Sequence, residues 1–357
     1  MKVLTVVGAR PQFIKAAPVR RALEAAGHTE VLVHTGQHYD DAMSAAQFRD
    51  LELTSPQINL GIGSGRHGDQ TARMLARLEE VIIDAMPDWV LVYGDTNSTL
   101  AGALAAAKLR VPLAHVEAGQ RSFNRCMPEE INRVVTDHVS DLLLCSTPAA
   151  VTNLSAEGIR SPVFMVGDVM IDALAWVLQR TQTPGARARL GLERGAYLLA
   201  TVHRAENTDN TDRLRAILAA LDEIDEPVVF PVHPRTRRAI ESLGWTPAPR
   251  VSLIDPIGYR DMIELERDAR MILTDSGGMQ KEAYFLRVPC VILRDETEWV
   301  EIVDAGWAAL AGADRDRVKS AVRSLAPRSQ HVPLHGDGRA ATRCVTYLEQ
   351  TRTWSLA

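Results

Sequence analysis

Short runs of Val, Leu, Ile and Ala alternate with longer amphipathic stretches along all 357 residues, and this alternation limits the possible folds more than any other feature. A strand buried on both faces reads as an unbroken apolar run. A series of such strands separated by helices closes as a parallel sheet with helices on both faces. The fold class is therefore α/β. A first series of strands is expected at 3–7, 31–34, 89–93, 113–116, 141–144 and 163–166, with helices at 12–26, 69–85 and 99–109 among those between them. A helix at 168–180 and a connection at 181–195 rich in Thr, Arg, Gly and Pro precede a second series, expected at 197–202, 228–232, 251–253, 271–274 and 291–293. Two Rossmann-like domains follow, one over 1–167 and one over 168–345, with ligands expected in a cleft between them.

Charge and cysteine usage narrow the partners. With 40 Lys+Arg against 45 Asp+Glu the net charge is −5, which gives no overall footprint for nucleic acid. The longest stretch without Asp, Glu, Lys or Arg, 142–156, contains Ser, Thr, Pro and Asn, and falls short of the roughly 20 apolar residues of a membrane helix. No signal-peptide pattern opens the chain, so a cytoplasmic protein without a membrane partner is expected. Cys126, Cys145, Cys290 and Cys344 are far apart and form no CxxC, which reads as reduced thiols, with neither a disulfide framework nor a zinc site.

In such sheets the loops leaving the carboxyl ends of strands line the ligand site, and the chemistry-bearing residues fall in those loops. After the first strand, Gly8-Ala9-Arg10-Pro11-Gln12 leads toward Lys15. A helix start beside a guanidinium suits an anion. Asp95 follows the strand at 89–93, where it can also serve as a helix cap, and Glu117 follows the strand at 113–116. Pro128-Glu129-Glu130 suits a first helical turn with Arg133 one turn on. Carboxylates gathered in one site can divide acid and base roles.

In the second half His203-Arg204 and His233-Pro234-Arg235 end strands and suit a phosphate-rich ligand, with no HExxH or HxH to suggest a metal. Asp275-Ser276-Gly277-Gly278 places a capping Ser before two glycines that let a diphosphate approach the backbone, and Glu282 lies a turn further on, suited to ribose hydroxyls. A GxGxxG at Gly63, Gly65 and Gly68 lacks a good preceding strand and reads as a mobile loop.

Taken in order, Gly8 to Lys15, Gly94-Asp95-Thr96, His115-Val116-Glu117-Ala118-Gly119, Pro128 to Arg133, His203-Arg204, Pro231-Val232-His233 and Asp275-Ser276-Gly277-Gly278 with Gln280 and Glu282 resemble the non-hydrolysing UDP-N-acetylglucosamine 2-epimerases. The resemblance implies a GT-B-like fold, a last helix at 346–357 that packs back on the N-terminal domain, a homodimer, and a cytoplasmic role supplying activated sugars for polysaccharides. It further implies interconversion of UDP-GlcNAc and UDP-ManNAc through UDP elimination to 2-acetamidoglucal, with no redox cofactor or metal. On that basis Asp95, Glu117, Glu129 and His203 are the expected catalytic residues. Arg10, Lys15, Arg133, His233, Ser276, Gly277, Gly278 and Glu282 are the expected substrate contacts.

Two departures stand out: Gln12 where Glu is common, and Trp299-Val300 within Thr297-Glu298-Trp299-Val300-Glu301 where relatives carry Arg-Pro. Together with Phe123-Asn124-Arg125 they make an epimerase of UDP-2,3-diacetamido-2,3-dideoxy-glucuronate the alternative expectation. A retaining glycosyltransferase and a silent sugar-nucleotide sensor share the nucleotide site but do not need Glu117 and Glu129 together.

Overall fold

The strands form where the sequence carries its apolar runs, and they assemble into two parallel sheets. The computed structural model describes residues 1–37, 51–52, 55–160, 162–180, 185–327, 331–334 and 336–352. In the first sheet β1 (Lys2–Val7), β2 (Thr29–His34), β3 (Ile58–Asn59), β4 (Trp89–Tyr93), β5 (Leu113–Ala118), β6 (Leu142–Cys145) and β7 (Val163–Met165) take the order β3-β2-β1-β4-β5-β6-β7. In the second, β8 (Leu198–Thr201), β9 (Val228–Pro231), β10 (Val251–Ile254), β11 (Met271–Thr274), β12 (Cys290–Ile292) and β13 (Ala308–Leu310) take the order β10-β9-β8-β11-β12-β13.

The second sheet shows why its strands read as continuous runs. Leu198 and Ala200 enter one core with Phe230 and Leu273, while Tyr197 and Leu199 enter the opposite one with Val229 and Ile272. Neither face meets water, so neither needs polar residues, and each buried Leu, Ile, Val or Phe side chain contributes about 1.5–3 kcal/mol. In the first sheet Leu4, Val6, Val90 and Val92 pack on Met74, Leu78 and Ile82, a stripe with one residue every fourth position along the His67–Ala85 helix. The short edge strands β3 and β13 were not expected from the sequence. Consequently the 63–68 glycine segment does follow a strand, though one of only two residues, and Gly68 already lies inside the next helix.

The chain divides into two compact units, one of Met1–Trp176 with His335–Ala357 and one of Val177–Leu334. In the first unit the Ala340–Arg352 helix packs on the Arg10–Ala25 helix. Tyr347 stacks on Phe164 at 3.9 Å, and the Asp172 carboxylate accepts the Ala340 and Ala341 N–H groups at 3.2 and 2.9 Å. Residues 353–357 of the expected terminal helix lie outside the described residues.

Each sheet reverses its strand order once, between β1 and β4 in the first and between β8 and β11 in the second. At such a point the two neighbouring loops leave toward opposite faces and open a crevice beyond the carboxyl ends of the strands. Gly8 and Asp95 flank the first reversal; His203 and Asp275 flank the second.

Candidate active site

At the first reversal the chain turns from β1 into the Arg10–Ala25 helix. A side chain on Gly8 would collide with Ser98 Oγ and Thr35 Oγ1, so only glycine lets the three loops approach. Gln12, 2% exposed, fixes the turn: its Oε1 accepts the Gly8 and Ala9 N–H groups at 2.8 and 3.0 Å. Its Nε2 donates to the Tyr93 carbonyl at 2.8 Å and to Thr99 Oγ1 at 3.0 Å. Two donors that an anion at this turn would need are thus already occupied. Arg10 opens the helix, and its side chain lies outside the described residues. Lys15, one turn on, forms a close ion pair with Glu117.

Glu117 reaches Lys15 because the backbone bends it out of the strand. Its φ is +71°, and the register of β5 against β6 shifts between Val116 and Ala118. A non-glycine residue held at positive φ costs on the order of 1–3 kcal/mol and persists only where its surroundings enforce it. Glu117 Oε2 and Lys15 Nζ then lie 3.3 and 3.4 Å from where a side chain on Gly94 would begin, so the pair sits against the residue that precedes Asp95.

Asp95 does not cap the following helix, although the sequence allowed it. Thr96 does, its Oγ1 accepting the Thr99 N–H at 3.3 Å, which leaves the Asp95 carboxylate to meet Arg133 Nη1 at 2.6 Å. Burial raises the Asp95 pKa; Arg133 and Lys15 pull it down, while Glu117 and Glu129 push it further up. Glu129 itself is exposed in the first turn of the Pro128–Val139 helix. Its neighbour Glu130 turns inward and accepts the Ser122 and Phe123 N–H groups, each at 2.9 Å. One carboxyl biased toward its protonated form beside another held by an ammonium is an arrangement suited to moving protons in both directions.

At the second reversal one buried carboxylate ties two loops together. Asp275 accepts the His203 N–H on both oxygens at 3.1 Å, the Arg204 N–H at 3.0 Å and Asn207 Nδ2 at 3.1 Å. The His203 imidazole stays exposed, with Nδ1 3.3 Å from Asp275. Ser276 caps the Gly277–Phe285 helix, accepting the Met279 N–H at 3.4 Å. The nearest atoms to a side chain on Gly277 would be Trp299 Nε1 at 3.5 Å, Arg204 Nη2 at 3.9 Å and Glu298 Oε2 at 4.0 Å. Helix N–H groups, an indole N–H and a guanidinium meet at this spot and suit phosphate oxygens, beside a Glu298 carboxylate whose charge Arg294 offsets.

Glu282, 6% exposed, accepts the Tyr259 hydroxyl at 2.8 Å. Glu298 is clamped by Arg294 at 2.8 and 3.0 Å; burial pushes its pKa up, but the Arg294 hydrogen bonds and charge outweigh this and bring it to about 2. Trp299 lies 4.2 Å under the Lys281 ammonium. His233 is the N-cap of the Pro234–Leu243 helix, its Nδ1 accepting the Arg235 N–H at 3.3 Å.

The first unit thus gathers Lys15, Asp95, Glu117, Glu129 and Arg133, and the second gathers His203, Ser276, Gly277 and Gly278, with Glu282 further along the same helix. Sequence reasoning placed Arg204 beside a phosphate-rich ligand but gave no site role to Asp275, Trp299 or Tyr259. Asp275 carried a signal, since it follows a strand at the sheet reversal just as Asp95 does. Among the described residues no group of three or more His, Cys, Asp or Glu could hold a metal ion, and no helix is long and apolar enough to cross a membrane.

The sequence pattern of the UDP-N-acetylglucosamine 2-epimerases matches residues 21–349. The chain belongs to the UDP-N-acetylglucosamine 2-epimerase family. It is 51% identical over 358 residues to the UDP-2,3-diacetamido-2,3-dideoxy-D-glucuronate 2-epimerase of Pseudomonas aeruginosa, covering 98% of this chain and 99% of that one. It is 49% identical over 355 residues to a UDP-N-acetylglucosamine 2-epimerase homolog of Methanococcus maripaludis, with the same coverage of both chains. Among solved structures, the UDP-GlcNAc 2-epimerase of Methanocaldococcus jannaschii in complex with UDP-GlcNAc and UDP superposes with a TM-score of 0.90 at 41% identity, over 98% of this chain and 100% of that one. The expected GT-B-like α/β fold, with a parallel Rossmann-like sheet in each unit, agrees with this membership of the 2-epimerase family.

Proposed function

We propose that this chain is a non-hydrolysing UDP-N-acetylglucosamine 2-epimerase that interconverts UDP-GlcNAc and UDP-ManNAc. The observation that carries the reading is the first-unit cluster, in which Asp95 on Arg133 and Glu117 on Lys15 flank Gly94, with Glu129 close enough to repel the Asp95 charge. The C2–H of a 2-acetamido sugar has no adjacent carbonyl to acidify it. A carboxylate removes the C2 proton as the C1–O bond breaks, UDP leaves with the bonding electrons, and 2-acetamidoglucal remains. On return a UDP oxygen attacks C1 while C2 takes a proton from the opposite face. Asp95, Glu117 and Glu129 perform these transfers, and Arg10, Lys15 and Arg133 offset the charge that develops.

UDP is held by the backbone at Ser276, Gly277 and Gly278, with Glu282 on the ribose and His203 and His233 on the diphosphate side. Proton loss and gain balance with no net oxidation, so the cycle needs no redox cofactor, and cationic side chains with helix N–H groups take the part a metal would otherwise play on the departing UDP. On the same reading the enzyme is a cytoplasmic homodimer supplying activated sugars for polysaccharide synthesis.

A second reading, epimerisation of UDP-2,3-diacetamido-2,3-dideoxy-glucuronate, is favoured by the 51% identity to the Pseudomonas aeruginosa enzyme of that name. Incubation with each sugar nucleotide in D₂O, with EDTA present, tests both. Product carrying deuterium at C2 is expected, and the substrate with the higher kcat/KM identifies the reaction served. Product retaining the original C2 hydrogen overturns the elimination mechanism.

A further inference from the structure

The inner face of the Pro128–Val139 helix is polar: Glu130, Asn132, Arg133, Thr136 and Asp137 are all buried. Burying polar side chains is unfavourable unless they are satisfied; the Thr136 hydroxyl has no hydrogen-bond partner among the described residues, whereas Glu130, Asn132, Arg133 and Asp137 bond to the loops carrying Asp95 and Glu117. Arg133 meets the Asp95 carboxylate, and Asn132 donates to the Asp95 carbonyl at 2.9 Å. Asp137, one turn beyond Arg133 and 1% exposed, has no contact with either candidate carboxylate and no part in the chemistry described above.

Asp137 makes a different set of bonds. Its Oδ1 meets His115 Nδ1 at 2.7 Å, and its Oδ2 accepts the Gly119 N–H at 3.1 Å and Arg121 Nη1 at 2.7 Å. His115 is fully buried on β5, and its Nε2 lies 2.8 Å from the Gly94 carbonyl. A carbonyl oxygen only accepts, so Nε2 donates. Nδ1 faces Asp137 Oδ1, while the other carboxylate oxygen receives the guanidinium and the backbone N–H, so the ring bridges the Gly94 carbonyl to Asp137. Burial pushes the Asp137 pKa up, but His115 and Arg121 outweigh it and bring the pKa below the usual carboxylate range. The two ends of this bridge are the carbonyl directly before Asp95 and the N–H two residues after Glu117.

We infer that Asp137 and His115 are a positioning pair that sets the Asp95 and Glu117 loops against each other. The inference rests on the epimerase reading and adds two residues to it, neither touching substrate. It also explains how Glu117 is kept at positive φ: Gly119, at φ +78°, is locked by Asp137 on one side, and any side chain there would collide with the Ala150 carbonyl.

The test has a spectroscopic and a kinetic arm. In the wild-type protein, NMR of the His115 ring should show an Nε2–H protected from solvent exchange by the Gly94 carbonyl, and Asp137→Asn should shift the ring ¹⁵N signals; an unprotected Nε2–H, or ring signals unmoved by Asp137→Asn, overturns the pair. In the kinetic arm Asp137→Asn and His115→Gln should each lower kcat about 100-fold, the penalty of a misplaced reacting group, with KM changed less than about threefold. The double variant should lose no more than the worse single one, as two residues acting as a unit require.

Turnover is expressed per UDP-binding site, so a loss confined to folding leaves it unchanged. A variant that melts earlier yet keeps wild-type turnover per site overturns the inference. The two failures are distinguishable: wild-type protein inert toward both sugar nucleotides sinks the reading of function, whereas active wild type with equally active Asp137→Asn sinks only the positioning pair.

Discussion

Gln12 joins β1 to β4: its amide Nε2 donates to the Tyr93 carbonyl at 2.8 Å while its Oε1 holds the Gly8 and Ala9 N–H groups. An amide fits because one end must donate and the other accept. Gln12→Glu replaces the donor by an oxygen facing a carbonyl, which should cost about 1–3 kcal/mol, and more above neutral pH where the carboxyl cannot stay protonated. Denaturant melts at pH 5 and pH 8 check this; equal stability of the variant and wild type at pH 8 would refute the role given to the amide.

Stability should also fall with rising pH through Glu30. This side chain, 2% exposed on β2, accepts the Thr5 hydroxyl at 2.6 Å and lies 3.6 Å from Arg20 Nε. Burial raises its pKa from 4.5 to about 7, against the opposing pull of Thr5 and Arg20. Because the folded-state value is raised, the stabilising contribution is fully present below about pH 4.5 and lost as pH passes 7. The span corresponds to at most on the order of 3 kcal/mol. Glu30→Gln should flatten the dependence of Tm on pH between 5 and 8 and raise Tm at pH 8 relative to wild type. An unchanged slope would remove Glu30 as its source.

For the first-unit cluster, Asp95→Asn, Glu117→Gln and Glu129→Gln should each lower kcat by about 10²–10⁴. UDP affinity, measured by calorimetry, should stay near wild type because the proposed nucleotide contacts, Ser276, Gly277 and Glu282, lie in the other unit. Near-normal turnover in all three would reject the carboxylate assignment.

The Tyr259 hydroxyl on Glu282 makes a graded pair of variants. Tyr259→Phe removes one hydrogen bond to a carboxylate and should weaken UDP binding by about 5–10-fold, and Glu282→Ala should weaken it further. Unchanged affinity in Glu282→Ala would take Glu282 out of the ribose site.

The sheets were legible wherever a run was long enough to be buried on both faces, as at Trp89–Tyr93 and Met271–Thr274. The strands Ile58–Asn59 and Ala308–Leu310 were not, the first because two residues make no run and the second because its run is mostly Ala, with no β-branched residue to mark it as a strand. The loops holding Asp95, Glu117 and Asp275 were readable from their place after strands. What each carboxylate bonds was not. Adjacent Glu129 and Glu130 look alike in sequence, yet one is exposed and the other is spent on the Ser122 and Phe123 N–H groups. His115 and Asp137 are 22 positions apart; His115 stood in the motif that ends at Gly119 and Asp137 one helical turn after Arg133, but nothing in the sequence paired them.

The helix that completes the first unit, Ala340–Arg352, comes after the whole of Val177–Leu334 in the chain. During translation the second unit is therefore fully exposed from the ribosome while the first still lacks the helix that covers Arg10–Ala25 and pairs Tyr347 with Phe164. The downstream half is thus able to reach its native state before the upstream half, an inversion of the usual N-to-C order of cotranslational folding. Nascent chains whose last exposed residue is 339 should resist brief proteolysis across 177–334 but not across 1–176. Protection of both halves at that length would show that the returning helix is dispensable for closing the first.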